Sequence, residues 1–215
     1  LFFKLVDDYG LRLITLSSQR YRREHGGGPV SSHRGHFHQE VMRLISDIEQ
    51  DLCVAAGYML ITSPEMCRRY PMINLHPALP DGPAGTWQHV IWRLIEEKAG
   101  ESGVMVHEAT EVVDAGPVVT YCSFPIRGAT FDPLWRDAAR CTMDELRAQG
   151  EDQPLFRAIR REGLRREGPL LIETLRALAQ GRLRLSGDSA DRAGAPVARG
   201  FLNDEVERFL RANEA

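Results

Sequence analysis

No apolar run in the chain approaches the ~20 residues that a helix needs to cross a bilayer. No leader is visible at the start either: "LFFKLVDDYG" is apolar for only a few residues before two aspartates. No membrane role is expected. Charge of one sign is also lacking. The chain carries 27 basic and 30 acidic side chains, a net charge of −3, and so has no global footprint for nucleic acid. Its cysteines, Cys53, Cys67, Cys122 and Cys141, form no CxxC pair and no metal-like spacing. They read as reduced thiols, which suits a cytoplasmic setting. His25, His33, His36 and His38 crowd a Gly-rich loop rather than one helical face, and no cysteine or carboxylate completes a set, so no metal is expected. No internal repeat is present. The first residue is Leu1, not Met, inside what reads as a helix.

What is present suits an α/β enzyme. Hydrophobic residues make up 43% of 215, enough for a core within one domain. "LRLITLS" (Leu11 to Ser17) reads as a short buried strand, and "YRREHGGGPVSSHRGHFH" as a polar loop. Phe37, Val41, Leu44, Ile45 and Ile48 recur at helical spacing. "DLCVAAGYM" has the length and small residues of a strand buried on both faces. Ser63 followed by Pro64 opens a short helix. "MINLHPAL" is a strand. Thr86 caps a helix that places Val90, Ile91, Leu94 and Ile95 on one face, with Gly100 as its stop. "GVMVHEAT" and "PVVTYCSFPI" are two further strands, joined too closely for a helical crossover, so one of them is expected to be antiparallel. Helices follow in "DPLWRDAARCTMDELRAQ" and "GPLLIETLRALAQG". After Gly181 the composition suggests a surface tail, closed by the amphipathic "FLNDEVERFLRA". Alternating strands and helices predict a mostly parallel sheet.

The stretch "INLHPALP" carries the chemistry. Asn74 and His76 are two apart on a strand, so they project from one face, at the carboxyl end where open α/β sheets hold ligands. An amide N–H can stabilise an oxyanion, and an imidazole can carry a proton near neutral pH. The plainer reading makes Asn74 a turn cap and His76 a satisfied, partly buried histidine. Asp114, in the Gly-containing turn of "VHEATEVVDAGPVV", lies one helix and one strand later, where a loop can fold back over the sheet edge. It can equally be a simple turn former.

Asn74, His76 and Pro77, followed by Val106, His107, Thr110, Asp114, Gly116 and Pro117, resemble the paired motifs of the folate-dependent formyltransferase family. The likeness runs from about Leu1 to Leu185. It implies a Rossmann-like fold: a mostly parallel sheet with helices on both faces, one antiparallel strand, and the first strands of the family missing from this chain. Residues 1–185 would form the formyltransferase domain and 186–215 a tail with a short helix. The implied activity is formyl transfer from 10-formyltetrahydrofolate, the co-substrate, to the amine of glycinamide ribonucleotide in purine biosynthesis. Asn74 would hold the oxygen of the tetrahedral intermediate, and His76 would donate a proton. Asp114 would favour the charged ring and fix a water. The folate would lie beside Met59, Leu60, Ile61 and Thr62, beside Arg34, and against the loop of Thr110, Glu111, Val112, Val113 and Asp114. Partners would be small molecules only, with a homodimer left open.

The chain departs from the family at several points. The family's opening strand, its Gly-Ser-Asn-rich phosphate loop, and the helix and strand that follow have no counterpart. An incomplete copy is therefore expected, inactive and poorly stable as written. Met105 stands where a small hydroxyl residue is usual, and Leu60 where an arginine is. Glu162 or Glu167 could supply the acidic contact to the ribonucleotide. The stretch 127–151 is longer than the usual connection; "FDPLW" within it reads as a packed helix before a lid or dimer contact. Trp87 and Trp92 read as core residues of their helix. Competing functions are transfer to another amine, hydrolysis of formyltetrahydrofolate, and a non-catalytic folate-binding module. The last is disfavoured by the intact Asn74, His76 and Asp114.

Overall fold

The computed structural model describes residues 2–186 and 200–213, with only the backbone at 30 and 31. The expected tail after Gly181 falls largely on residues 187–199, outside the described residues. Contacts divide the chain into two compact units, Leu1–Cys53 with Met59–Pro71, and Val54–Tyr58 with Met72–Ala215.

The first unit holds α1 (Phe2–Asp8), α2 (Ser18–Glu24), α3 (Val30–Leu44) and α4 (Pro64–Arg69). Phe37 and Met42 of α3 and Met66 and Tyr70 around α4 are buried, and Tyr21 sets its ring edge-on to Phe37, with centroids 5.4 Å apart. Ser63 caps α4 as expected, accepting from the Met66 N–H. Three readings of this unit are corrected. Residues 11–17 form no strand: Leu11 and Leu13 are exposed, and no strand among the described residues pairs with the segment. An extended segment without a neighbour gains neither ladder bonds nor burial. The Gly-rich "loop" is mostly helix, because Ser17 caps α2 through the Arg20 N–H and α3 starts at Val30 instead of Phe37. Lastly, α3 ends at Leu44, which leaves Ile48 exposed beyond it.

The second unit is built on a five-stranded sheet of order β1-β2-β3-β4-β5. Its strands are β1 (Cys53–Ala55), β2 (Met72–His76), β3 (Glu101–Glu108), β4 (Val118–Pro125) and β5 (Gly200–Phe201). β1 is shorter and more exposed than expected, with Val54 open to solvent. β3 runs against β2 and β4, while β4 and β5 are parallel. The expected antiparallel strand is therefore β3, with β2 and β4 as its neighbours. Its buried run from Ser102 to His107 covers both of its faces.

The helices of this unit follow their local signals, with one exception. α5 (Trp87–Glu96) starts where Thr86 accepts from the His89 N–H, and it buries Val90, Ile91, Leu94 and Ile95. Its stop is not Gly100 but Lys98, which takes the left-handed φ of 53°. The long stretch after Arg127 folds into α6 (Asp132–Ala138), α7 (Met143–Ala148) and a 3₁₀ turn at Gly150–Asp152. Trp135 is buried and donates to the Ile126 carbonyl at 2.6 Å, so "FDPLW" is a packed helix. The exception is α8 (Pro154–Ala179), a 26-residue helix that starts well before Gly168 and continues through Pro169. Proline in a helix interior removes one hydrogen bond. Here burial of Leu155, Phe156, Ile159 and Leu170 outweighs that loss. α8 packs on β3 and β4. Trp87 and Trp92 pack on Phe156, with ring centroids 5.8 and 4.8 Å away. α9 (Asn203–Asn213) is tied to α8 by Arg166, whose guanidinium meets Glu207 at 2.7 Å and Glu162 at 2.9 Å.

Ile73 is fully buried in β2, between Met72 and Asn74. Ile73→Val is expected to lower the unfolding free energy by about 0.5–1.5 kcal/mol, read as a shift in denaturant midpoint at unchanged slope.

Candidate active site

The site grows from the register of β2 and β3. Asn74 lies opposite His107 and His76 opposite Met105. Directly paired residues share a face, so all four side chains stand on one side of the sheet. The Asn74 Nδ2 donates to His107 Nε2 at 3.1 Å. The other ring nitrogen of His107, Nδ1, faces the Glu108 carbonyl at 2.9 Å. This pairing places the His107 proton on Nδ1. An amide nitrogen carries two N–H donors, so one remains on Asn74.

Asp114 reaches the same place from the β3–β4 loop. Its backbone is left-handed, with φ of 52°, a conformation that aspartate tolerates better than most residues. The turn is tight: a Cβ on Gly116 would sit 1.7 Å from the Glu108 carbonyl oxygen. One Asp114 oxygen accepts from the Gly85 N–H at 3.1 Å. The other faces His76 Nδ1 at 3.8 Å and His107 Nε2 at 3.7 Å. His76 Nε2 faces the Pro83 carbonyl at 3.1 Å. Both nitrogens of the buried His76 ring thus face oxygen acceptors, and either can hold the proton. His76 and Asp114 line a cavity of about 330 Å³, with Asp81, Pro83, Met105 and Gly116 among its walls.

The three residues expected to act together are thus neighbours: Asp114 faces His76 and His107, and Asn74 is bonded to His107. Sequence reasoning gave His107 no role beyond its place in the motif. Its position opposite Asn74 is the signal that identifies it, and that emerges only once the two strands are paired. Residues expected along the folate are spread differently. Thr110 to Val113 form the exposed outer turn of the second unit, where the Thr110 hydroxyl donates to the Val112 carbonyl at 3.0 Å. Met59, Leu60, Ile61 and Thr62 belong to the first unit and have no regular structure there, since β1 ends at Ala55. Arg34 also belongs to the first unit and lies within α3, not in a loop before it. Among the described residues no cluster of histidine, cysteine and carboxylate could hold a metal, and no helix is long and apolar enough to cross a membrane.

Burial holds His107 below the ordinary histidine range, against the opposing pull of the Glu108 carbonyl and Asp114. Burial lowers His38 likewise. A histidine that holds its proton less readily when folded lets the unfolded chain take up the proton first. Stability contributed this way is present above the ordinary value near 6.5 and is lost as pH falls below it. The melting temperature is expected to drop on acidification from pH 7 to 5.5, and less in a His107→Asn variant.

The family model described as "Formyl transferase" matches residues 15–130. Phosphoribosylglycinamide formyltransferase of Dictyostelium discoideum is 33% identical over 122 residues, which cover 51% of this chain and 57% of that protein. The enzyme of the same name from Saccharomyces cerevisiae is 36% identical over 91 residues, 39% of this chain and 42% of that one. The chain spans about half the length of the curated relatives it matches. In fold it resembles phosphoribosylglycinamide formyltransferase from Streptococcus pneumoniae, with a TM-score of 0.56 and 22% identity over 83% of this chain and 80% of that one. Formyltetrahydrofolate deformylase from Burkholderia mallei has a TM-score of 0.53 and 18% identity, covering 87% of this chain and 55% of that one. The Rossmann-like α/β expectation is met by these neighbours. With more than half of its residues matched by the family model, the chain belongs to the formyl transferase family.

Proposed function

We propose that this chain carries the catalytic centre for transfer of a formyl group from 10-formyltetrahydrofolate to the amine of glycinamide ribonucleotide. The observation that supports this best is the meeting of His76 and Asp114, from separate elements, on one cavity. The names of the curated relatives point to the same acceptor. Attack of the amine on the formyl carbon builds negative charge on the formyl oxygen and positive charge on the nitrogen. The free N–H of Asn74 is suited to the first, a developing oxyanion. The ring of His76 is suited to move the proton, with Asp114 holding the charged ring and a bridging water in place. Asn74 is itself oriented by His107, so the donor is fixed before substrate arrives. Thr110 to Val113, on the loop that carries Asp114, are assigned to the folate. A deformylase reading rests on the Burkholderia mallei neighbour and replaces the amine with water at the same centre.

The test is a spectroscopic transfer assay with 10-formyltetrahydrofolate, with and without glycinamide ribonucleotide. Product formed only with the ribonucleotide supports transfer. Formate released at equal rate without it selects hydrolysis. Folate binding with neither product leaves the non-catalytic module.

A further inference from the structure

One row of side chains crosses the sheet at the level of His76. Met105 of β3 lies opposite His76 of β2, and Tyr121 of β4 lies opposite Met105. Side chains paired in this way share a face, with Cβ atoms about 4.5–5.5 Å apart. Met105 is 6% exposed and lines the cavity of about 330 Å³ together with His76 and Asp114. Tyr121 packs its ring on Phe201, with centroids 5.0 Å apart, and lines no part of that cavity. Apart from His76, Asp81 and Asp114, no side chain in the cavity wall carries a hydroxyl, an amide or a charge. The polar atoms around His76 are already turned to partners. Its Nε2 faces the Pro83 carbonyl and its Nδ1 faces Asp114, whose second oxygen accepts from the Gly85 N–H. A thioether is a weak acceptor and no donor. A water held at a buried place needs about two to four polar partners. Beside His76, Met105 supplies none.

We propose that Met105 is a specificity-determining residue, which keeps the formyl group for an amine by denying a hydrolytic water its place beside His76. The inference rests on the formyl-transfer reading. Amine and water compete for the same formyl carbon. Attack by water breaks the same C–N bond and yields formate and tetrahydrofolate, as a proton passes to the leaving nitrogen. The amine is delivered by the rest of the acceptor molecule and needs no partner in the wall. A free water has only the wall to orient it. The water that bridges Asp114 and His76 already has those two groups as partners. A second water, placed for attack, meets the thioether.

Three variants separate polarity from size. Met105→Gln keeps the length of the side chain and adds an amide, Met105→Leu keeps the wall apolar, and Met105→Ser removes bulk and adds a hydroxyl. Formate release and transfer are measured on the 215-residue chain with 10-formyltetrahydrofolate, without and with glycinamide ribonucleotide. In Met105→Gln the ratio of formate release to transfer should rise about ten-fold, the scale of one added hydrogen bond. In Met105→Leu the ratio should match that of the intact chain. Met105→Ser should follow the glutamine variant; if the space it leaves prevents folding, the other two decide. Equal ratios in the glutamine and leucine variants, in a chain that transfers, overturn the role of Met105 and leave the formyl-transfer reading standing. Formate released by the intact chain at equal rate with or without the ribonucleotide overturns both. Where neither product forms, the formyl-transfer reading falls, and crystal structures of the intact chain and of Met105→Gln decide the exclusion of water. A water bonded to the glutamine amide beside His76, with none beside Met105, is expected. An ordered water against Met105 and the His76 ring in the intact chain overturns the role, whatever the activity.

Discussion

His76→Ala is expected to lower kcat for formyl transfer by about 100-fold to 10,000-fold, the range for loss of a positioned proton carrier. The ring is buried, so no bulk water takes over its position directly. Its loss also strips Asp114 of one of the two rings it faces, while the Gly85 N–H continues to hold that carboxylate. The loop should therefore keep its shape, and the defect should fall on kcat more than on KM. His76→Gln keeps a hydrogen bond to the Pro83 carbonyl but cannot shuttle a proton at neutral pH. It should be as slow as the alanine variant. A glutamine variant with near-normal kcat would show that the ring only spaces the cavity.

Asn74→Ala is the second large effect, about 100-fold to 1000-fold in kcat, the usual cost of removing one oxyanion donor. The change has a further consequence here. Without the amide, His107 Nε2 loses its donor in a buried setting, with Asp114 still 3.7 Å away. His107 should then hold a proton more readily than before, drawn by that carboxylate. An NMR titration of its ring would report the change. Asn74→Asp offers an acceptor where a donor is needed and should be at least as slow as alanine. A small loss in Asn74→Ala, beside a large one in His107→Ala, would place the oxyanion contact elsewhere.

The parts of the fold that are legible in the sequence are those with local signals. Ser63 with Pro64 and Thr86 before an apolar stripe each mark a helix start, and the structure places α4 and α5 there. β2 and β3 show as apolar runs of strand length. What was not legible depends on partners. Leu11 to Ser17 has strand composition but no partner strand among the described residues. Three glycines at 26–28 suggest one long loop, yet they separate two helices. Gly168 and Pro169 read as a helix start, while the packing of Leu155, Phe156 and Ile159 sets the true start at Pro154. The site follows the same division. Asn74, His76 and Asp114 sit in short motifs that name their chemistry. Arg34, which the family resemblance sets beside the folate ahead of the helix of Phe37, lies within that helix. The role of His107 depends on how β2 and β3 align to bring it opposite Asn74, 33 residues earlier, which no local pattern encodes.

The facing of Asn74 with His107, and of His76 with Met105, ties this chemistry to parity. Removing or adding one residue within β3 before His107 would swing that imidazole to the opposite side of the sheet. Length variants of this strand should therefore survive selection only in even steps, whatever their effect on stability.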